Sequence, residues 1–211
     1  MKLISTNYSN YETNVPQTGK HILAQLRGEN IIVYQAFNPS ISNYAVANQH
    51  FGGSAYSFSR MSWIKPNFLW MMYRAGWASK VNQERILAIE IPQIFFDELL
   101  DKAVYSTYKP DIYGSNEAWQ KEGKQSDVRL QWDPDHNPYG AKLDRRAIQL
   151  GIRGNTLQKF NQEIVSIEDI TSFVLEQGAK VKQRNLEELS VMSEEVYLVK
   201  NEEVKLRLGL C

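Results

Sequence analysis

The apolar positions along this chain change their period several times, and the changes divide it into elements. Ile31 to Phe37, IIVYQAF, is dense in β-branched and aromatic residues, follows Gly28 and stops at Asn38-Pro39. That predicts a strand bounded by turns, with Tyr34 and Ala36 on one face and Val33 and Gln35 on the other. Within Phe58 to Lys80, FSRMSWIKPNFLWMMYRAGWASK, the run Phe68 to Met72 is apolar without a break. On a helix it covers most of the circumference, so it predicts a central helix buried on several sides. Ser62 is expected to cap that helix, Pro66 to lie in its first turn and Gly76 to end it.

The remaining pattern is read the same way. Ser40 is expected to cap a short helix running towards His50. Arg85 to Ile91 reads as a strand, and Pro92 opens a helix whose Phe95, Phe96, Leu99 and Leu100 share one face. Tyr105 to Ser126 is polar and turn-rich, which predicts a long connection with at most one helical turn. Val128 to Trp132 and Arg146 to Ile152 read as strands joined by the loop DPDHNPYGAKLDR, with Ile148, Leu150 and Ile152 facing one way and Gln149 the other. Ile164 to Ile167 predicts a short strand, and Ser166 to Asp169 a box-like start for a helix ending at Gly178. Lys180 to Glu195 is expected to be a charged, solvated helix, and the alternation of Val204, Leu206 and Leu208 predicts a terminal hairpin. The sum is an α+β chain of one domain: a polar arm over 1–19, a core over 20–178, and the charged helix and hairpin over 179–211. Its sheet is expected to be mostly antiparallel or split around the buried central helix.

Composition narrows the function classes. Lys plus Arg and Asp plus Glu both number 24, so any basic patch for a polyanion must be local. Cys211 is the sole cysteine, which excludes an intrachain disulfide, and the polar start MKLISTNYSNYETN has no apolar signal core. A reducing, cytoplasmic setting is therefore expected. The longest apolar run is broken by Arg60, Lys65, Pro66 and Arg74, so no membrane segment is expected.

Two polar clusters carry candidate chemistry. Asp133, Asp135 and His136 end a strand, where they could supply a general base, with His136 the natural candidate, or a turn that touches ligand. They lack paired His or Cys spacing, so no metal site is expected. Arg145 and Arg146, together with Arg60, Lys65 or Arg74, could grip phosphate groups, Arg by bidentate hydrogen bonds. The competing reading makes them surface charges paired with nearby acids, and for Arg74 a cation at a helix C-terminus. Tyr34 and Trp132 are candidates to stack on a ligand ring or are plain core; Trp63, Trp70 and Trp77, spaced by seven, suggest core. His21 and His50 have no partners for a Cys-His or Ser-His-Asp enzyme, and neither a Walker loop nor a Rossmann glycine fingerprint is present.

Three strings, VYQAFNPSI at Val33 to Ile41, RMSWIKPNFLWMMYRAGWASK at Arg60 to Lys80 and QWDPDHNPYGAKLDRRAIQLG at Gln131 to Gly151, closely resemble the domain-of-unknown-function family DUF4291. A second resemblance lies in their order. ADP-ribosyltransferases carry an apolar-Tyr-Arg-Gly strand, a Ser-x-Ser element in a middle strand and a Glu on a late strand; Val33-Tyr34-Gln35-Ala36, Ser57-Phe58-Ser59 and Gln149 are similar in outline. Gln35 stands where that pattern has a cation, and Gln149 where it has a carboxylate. The resemblance implies an ADP-ribosyltransferase-like fold and NAD as substrate. Tyr34, Gln149 and His136 would then be at the reacting centre, Gln35, Arg60, Lys65, Trp132, Asp133, Arg145 and Arg146 around the dinucleotide, and an RNA, DNA or protein would be the acceptor. The alternative is a noncatalytic RNA- or nucleotide-binding module.

Overall fold

The computed structural model describes residues 3–210, so Cys211 lies outside the described residues. The N-terminal segment is built into the body. β1 (Ser5–Asn7) pairs antiparallel with a strand from the other end of the chain, and α1 (Tyr8–Asn14), capped by the Asn7 side chain on the Ser9 amide, buries Tyr11. Short strands β2 (Gly19–Lys20), β3 (Leu23–Ala24) and β4 (Leu26–Arg27) lead into β5 (Asn30–Phe37), the strand its composition predicts. α2 (Pro39–Asn48) is capped by Asn38, whose side chain accepts the Ile41 amide hydrogen, rather than by Ser40.

The central stretch divides differently from its pattern. Ser62 opens a strand, β6 (Ser62–Ile64), and the helix α3 (Phe68–Ala75) starts only after Pro66, because a proline disfavours helical backbone in the residue before it. Asn67 is the cap, accepting the Trp70 amide hydrogen at 2.6 Å. Gly76 closes the helix in the left-handed conformation, as expected.

β7 (Arg85–Pro92), α4 (Gln93–Lys102) and β8 (Ala103–Tyr105) follow. The expected connection then carries two helices, α5 (Pro110–Tyr113) and α6 (Asn116–Gln125). α6 buries no residue, so it leaves no apolar period to read; Ser115 and good helix formers specify it. β9 (Val128–His136) and β10 (Lys142–Ile152) pair well into the expected loop, with a register shift between Lys142 and Arg146. After α7 (Gly154–Gln162), the box-like Ser166–Asp169 is a strand, β11, and α8 (Thr171–Lys182) continues past Gly178. The expected charged helix is instead loop with two strands, β12 (Ser190–Met192) and β13 (Glu195–Val196). The expected hairpin is a helix, α9 (Glu202–Leu208): Asn201 caps it, and Val204 and Leu208, four apart, are buried while Leu206 is exposed.

These elements form an α+β structure with two main sheets. One has the order β11-β7-β5-β4 and is antiparallel throughout; the other has β2-β10-β9-β8, with β6 also on β10 and parallel pairing only at β2 and β8. The sheets meet at one point, where the Tyr34 N–H donates to the Lys65 carbonyl at 2.7 Å and the Lys65 N–H to the Tyr34 carbonyl at 3.2 Å. Each face of the β11-β7-β5-β4 sheet has its own core. Ile31, Val33, Leu87 and Ile89 pack with Phe95, Leu130, Ile148 and Leu150 on one side, and Ile32, Tyr34, Ile86 and Ala88 pack beneath Phe68, Met71 and Met72 of α3 on the other. Each buried Val, Leu, Ile, Phe or Met side chain contributes roughly 1.5–3 kcal/mol by leaving water.

Candidate functional site

A cleft of about 510 Å³ opens beside the split, between the end of β5, the turn before β6, β6 itself and α3. Its walls include Gln35, Tyr56, Arg60, Trp63, Lys65 and Arg74. Gln35 is buried and donates its amide hydrogens to Ser62 Oγ at 2.7 Å and the Trp63 carbonyl at 3.0 Å. A carbonyl only accepts, so the orientation of the amide is fixed and its Oε1 is left buried without a partner.

Lys65 is 5 % exposed, and among the described residues its ammonium has no hydrogen-bond or ion-pair partner. Burial, and after it the charge of Arg74, push its pKa down to about 8, with Asp133 opposing. A cation kept this dry calls for an anion. Arg60 and Arg74 line the same cleft with their side chains open to solvent.

A polar strip continues from Lys65 across the second sheet. A Cβ added to Gly151 would sit 2.9 Å from the Trp63 ring and 2.6 Å from Met61 Sδ, so Trp63 lies against the face of β10 that carries Gly151 and Gln149. Lys65, two residues beyond Trp63, and Asp133 belong to that face. Gln149 Nε2 donates to Asp133 Oδ2 and Gln131 Nε2 to Asp133 Oδ1, both at 2.8 Å. Asp133 and Gln149 adjoin the cleft rather than line its wall.

Several expected site residues are elsewhere. Tyr34 is wholly buried, edge-on to Phe68 at 5.7 Å, and has no face free for a ligand ring. Trp132 faces the opposite side of β9, packs on the Leu130 and Ile148 core and donates its indole N–H to the Leu208 carbonyl. Tyr56 and Trp63 are the aromatic groups that the cleft does present. Arg145 and Asp135 form a buried ion pair at 2.5 Å, each 1 % exposed, and are spent on each other. Arg146 is exposed on β10 next to β2. His136 is buried, stacked on Tyr73 at 3.4 Å and near Trp70, and burial lowers its pKa; its Nδ1 has no partner. Ser57 and Ser59 hydrogen-bond to each other in the exposed turn ahead of β6, not in a strand.

A family model matches residues 21–197. The chain belongs to the family described as Domain of unknown function (DUF4291). The matched range of this DUF4291 chain contains the whole cleft and the Asp133 strip, and leaves α1 and α9 outside. A search of curated proteins finds no match to it.

Three residues outside the expected set support the site. Glu194 accepts from the Phe68 amide, the Tyr11 hydroxyl and Asn67 Nδ2, bracing the N-terminus of α3, and burial pushes its carboxyl up to about 8. Its place in a charged segment hides it, since only tertiary pairing separates it from its solvated neighbours. Asn67 stands directly ahead of an apolar run, which is the sequence signal of a helix cap. Tyr11 had no periodic signal around it.

Proposed function

We propose that the cleft binds NAD and that the protein transfers ADP-ribose from it to a nucleic acid or protein acceptor. The observation that carries this reading is that Gln35 and Ser57, from two of the compared segments, line one cleft with β6, while Gln149 stands on the strand paired with β6. β5 with Tyr34 and Gln35 is hydrogen-bonded to Lys65 at the end of β6, and β6 is paired with β10, which carries Gln149. Gln35, Ser57 and Lys65, far apart in sequence, thus line one cleft, with Gln149 on the neighbouring strand. Its volume is in the range of small-molecule and cofactor sites. The unpaired Lys65, with Arg60 and Arg74, supplies positive charge for a pyrophosphate. The orphaned Gln35 Oε1 is a ready acceptor for an amide or ribose hydroxyl, and Tyr56 and Trp63 offer ring faces.

The test is the melting temperature of the purified protein with NAD, with ADP-ribose and with a short single-stranded RNA, followed by transfer from labelled NAD. A shift with NAD and label on an acceptor support the proposal. A shift with ADP-ribose alone makes the protein a reader of that product. Stabilisation by RNA alone favours the noncatalytic module and removes the enzyme reading.

A further inference from the structure

We infer that Asp133, and not Gln149, is the catalytic carboxylate of this site; the inference rests on the NAD reading above. Transfer from NAD breaks the bond between ribose C1 and the nicotinamide nitrogen. The electron pair leaves with nicotinamide, and C1 becomes an oxocarbenium-like centre. The acceptor, or water, forms the new bond to C1 and loses its proton to bulk solvent. That centre needs a fixed negative charge near C1 and the ribose hydroxyls. The amide of Gln149 carries none.

The missing charge sits one strand away. Asp133 lies on β9 beside Gln149 and receives the Gln149 amide on one oxygen and the Gln131 amide on the other. Each carboxylate oxygen has two acceptor positions, so one on each remains for a ligand. The two amides hold the group in one orientation, which is the condition for stabilising charge without reorganisation. Asp133 shares its face with Trp63 and Lys65, and its charge acts on the Lys65 ammonium. Three other carboxylates are committed to the fold. Asp135 is paired with Arg145, Glu90 is held by Arg27, Asn30 and Ser166, and Glu194 by the start of α3. The carboxylate has in effect moved from β10 to its neighbour, and Gln149 has become the group that positions it.

The experiment measures nicotinamide release, as kcat and KM, together with the NAD-induced melting shift. We compare the wild type with Asp133→Asn, Asp133→Glu, and Asp133→Asn combined with Gln149→Glu. Asp133→Asn is expected to lower kcat by about 100-fold or more while the NAD shift persists. Asp133→Glu, which keeps the charge, retains at least about a tenth of the wild-type rate, and Gln149→Glu in the Asp133→Asn background recovers about tenfold by restoring a carboxylate to the face. Asp133→Asn within about threefold of the wild type overturns the assignment, and so does a loss seen equally in the charge-preserving Asp133→Glu. If Asp133→Asn does not fold, the Asp133→Glu rate decides. A wild type that neither responds to NAD nor releases nicotinamide overturns the NAD reading itself. Release that survives the loss of Asp133 overturns this inference alone.

Discussion

Glu194 places one carboxylate oxygen 2.5 Å from the Phe68 amide nitrogen, so the first turn of α3 is held by a residue from the far end of the chain. Its other oxygen accepts from Tyr11 and Asn67. Burial raises this carboxyl to about 8, and burial lowers Lys65 to about 8 from the opposite direction. The two shifts have opposite consequences for stability. Between its ordinary pKa and about 8, Glu194 binds its proton more tightly in the folded state, so stability falls as pH rises through that window. From about 8 to its ordinary pKa, Lys65 is protonated more fully in the unfolded chain, so stability rises with pH. The expected melting profile therefore has a trough near pH 8. Glu194→Gln should flatten its acid limb and Lys65→Met its alkaline limb, as measured by melting temperature in a buffer series.

Lys65→Met is also a test of what the buried cation is for. Removing an unpaired buried ammonium in favour of an apolar chain of similar length is expected to stabilise the fold by about 1–3 kcal/mol at neutral pH. The same change should abolish the melting shift produced by ADP-ribose or inorganic pyrophosphate. Gain of stability with loss of ligand response identifies a group kept for binding. Loss of both would assign Lys65 to the architecture of the split.

How far the sequence discloses this arrangement depends on the range of the interaction that fixes each part. β5, β7, α4 and the closing glycine of α3 follow from local pattern, because their apolar residues or turn chemistry act within a few positions. Ser62 is the expected cap of α3, and Asn67 is the observed one. Pro66 disfavours helical backbone at Lys65, so the helix starts after it and Asn67 is the cap. Lys65, Arg60, Gln35, Asp133 and Gln149 could be listed as polar candidates, yet their grouping depends on β6 lying between β5 and β10, which no periodicity records. Trp132 and Tyr34 show the opposite failure. Aromatic residues on alternating strands face a ligand or a core according to which side the helices cover, and here both face cores.

The Arg145–Asp135 pair should behave as structure rather than as ligand machinery. Both groups are 1 % exposed, Arg145 also lies over the Tyr11 ring at 5.7 Å, and its Nη2 has no partner. Asp135→Asn leaves a buried guanidinium without its counter-charge, and is expected to cost about 3–5 kcal/mol in urea unfolding. Replacing both residues together, Asp135→Leu with Arg145→Met, should recover most of that loss, because the desolvation cost of the pair disappears with its attraction. Ligand-induced melting shifts should survive in the double variant.

Two glycines separate the cleft wall from ordinary turn geometry. A Cβ at Gly151 would approach Met61 Sδ to 2.6 Å and the Trp63 ring to 2.9 Å, so Gly151→Ala must push the Trp63 wall of the cleft outwards. The expected cost is about 1–3 kcal/mol. The NAD- or ADP-ribose-induced shift should shrink as well, since the displaced ring lines the cleft and Gln149 stands two residues away on the same face. At Gly28 a Cβ would meet nothing within 4 Å, but the backbone is left-handed with φ +58°. Gly28→Ala is therefore expected to cost about 1 kcal/mol through conformation alone and to leave the ligand response at its wild-type size. Comparing the two variants in one melting experiment, with and without ligand, separates a loss of stability from a deformation of the site. Equal ligand responses in both would mean that the Trp63 wall takes no part in binding.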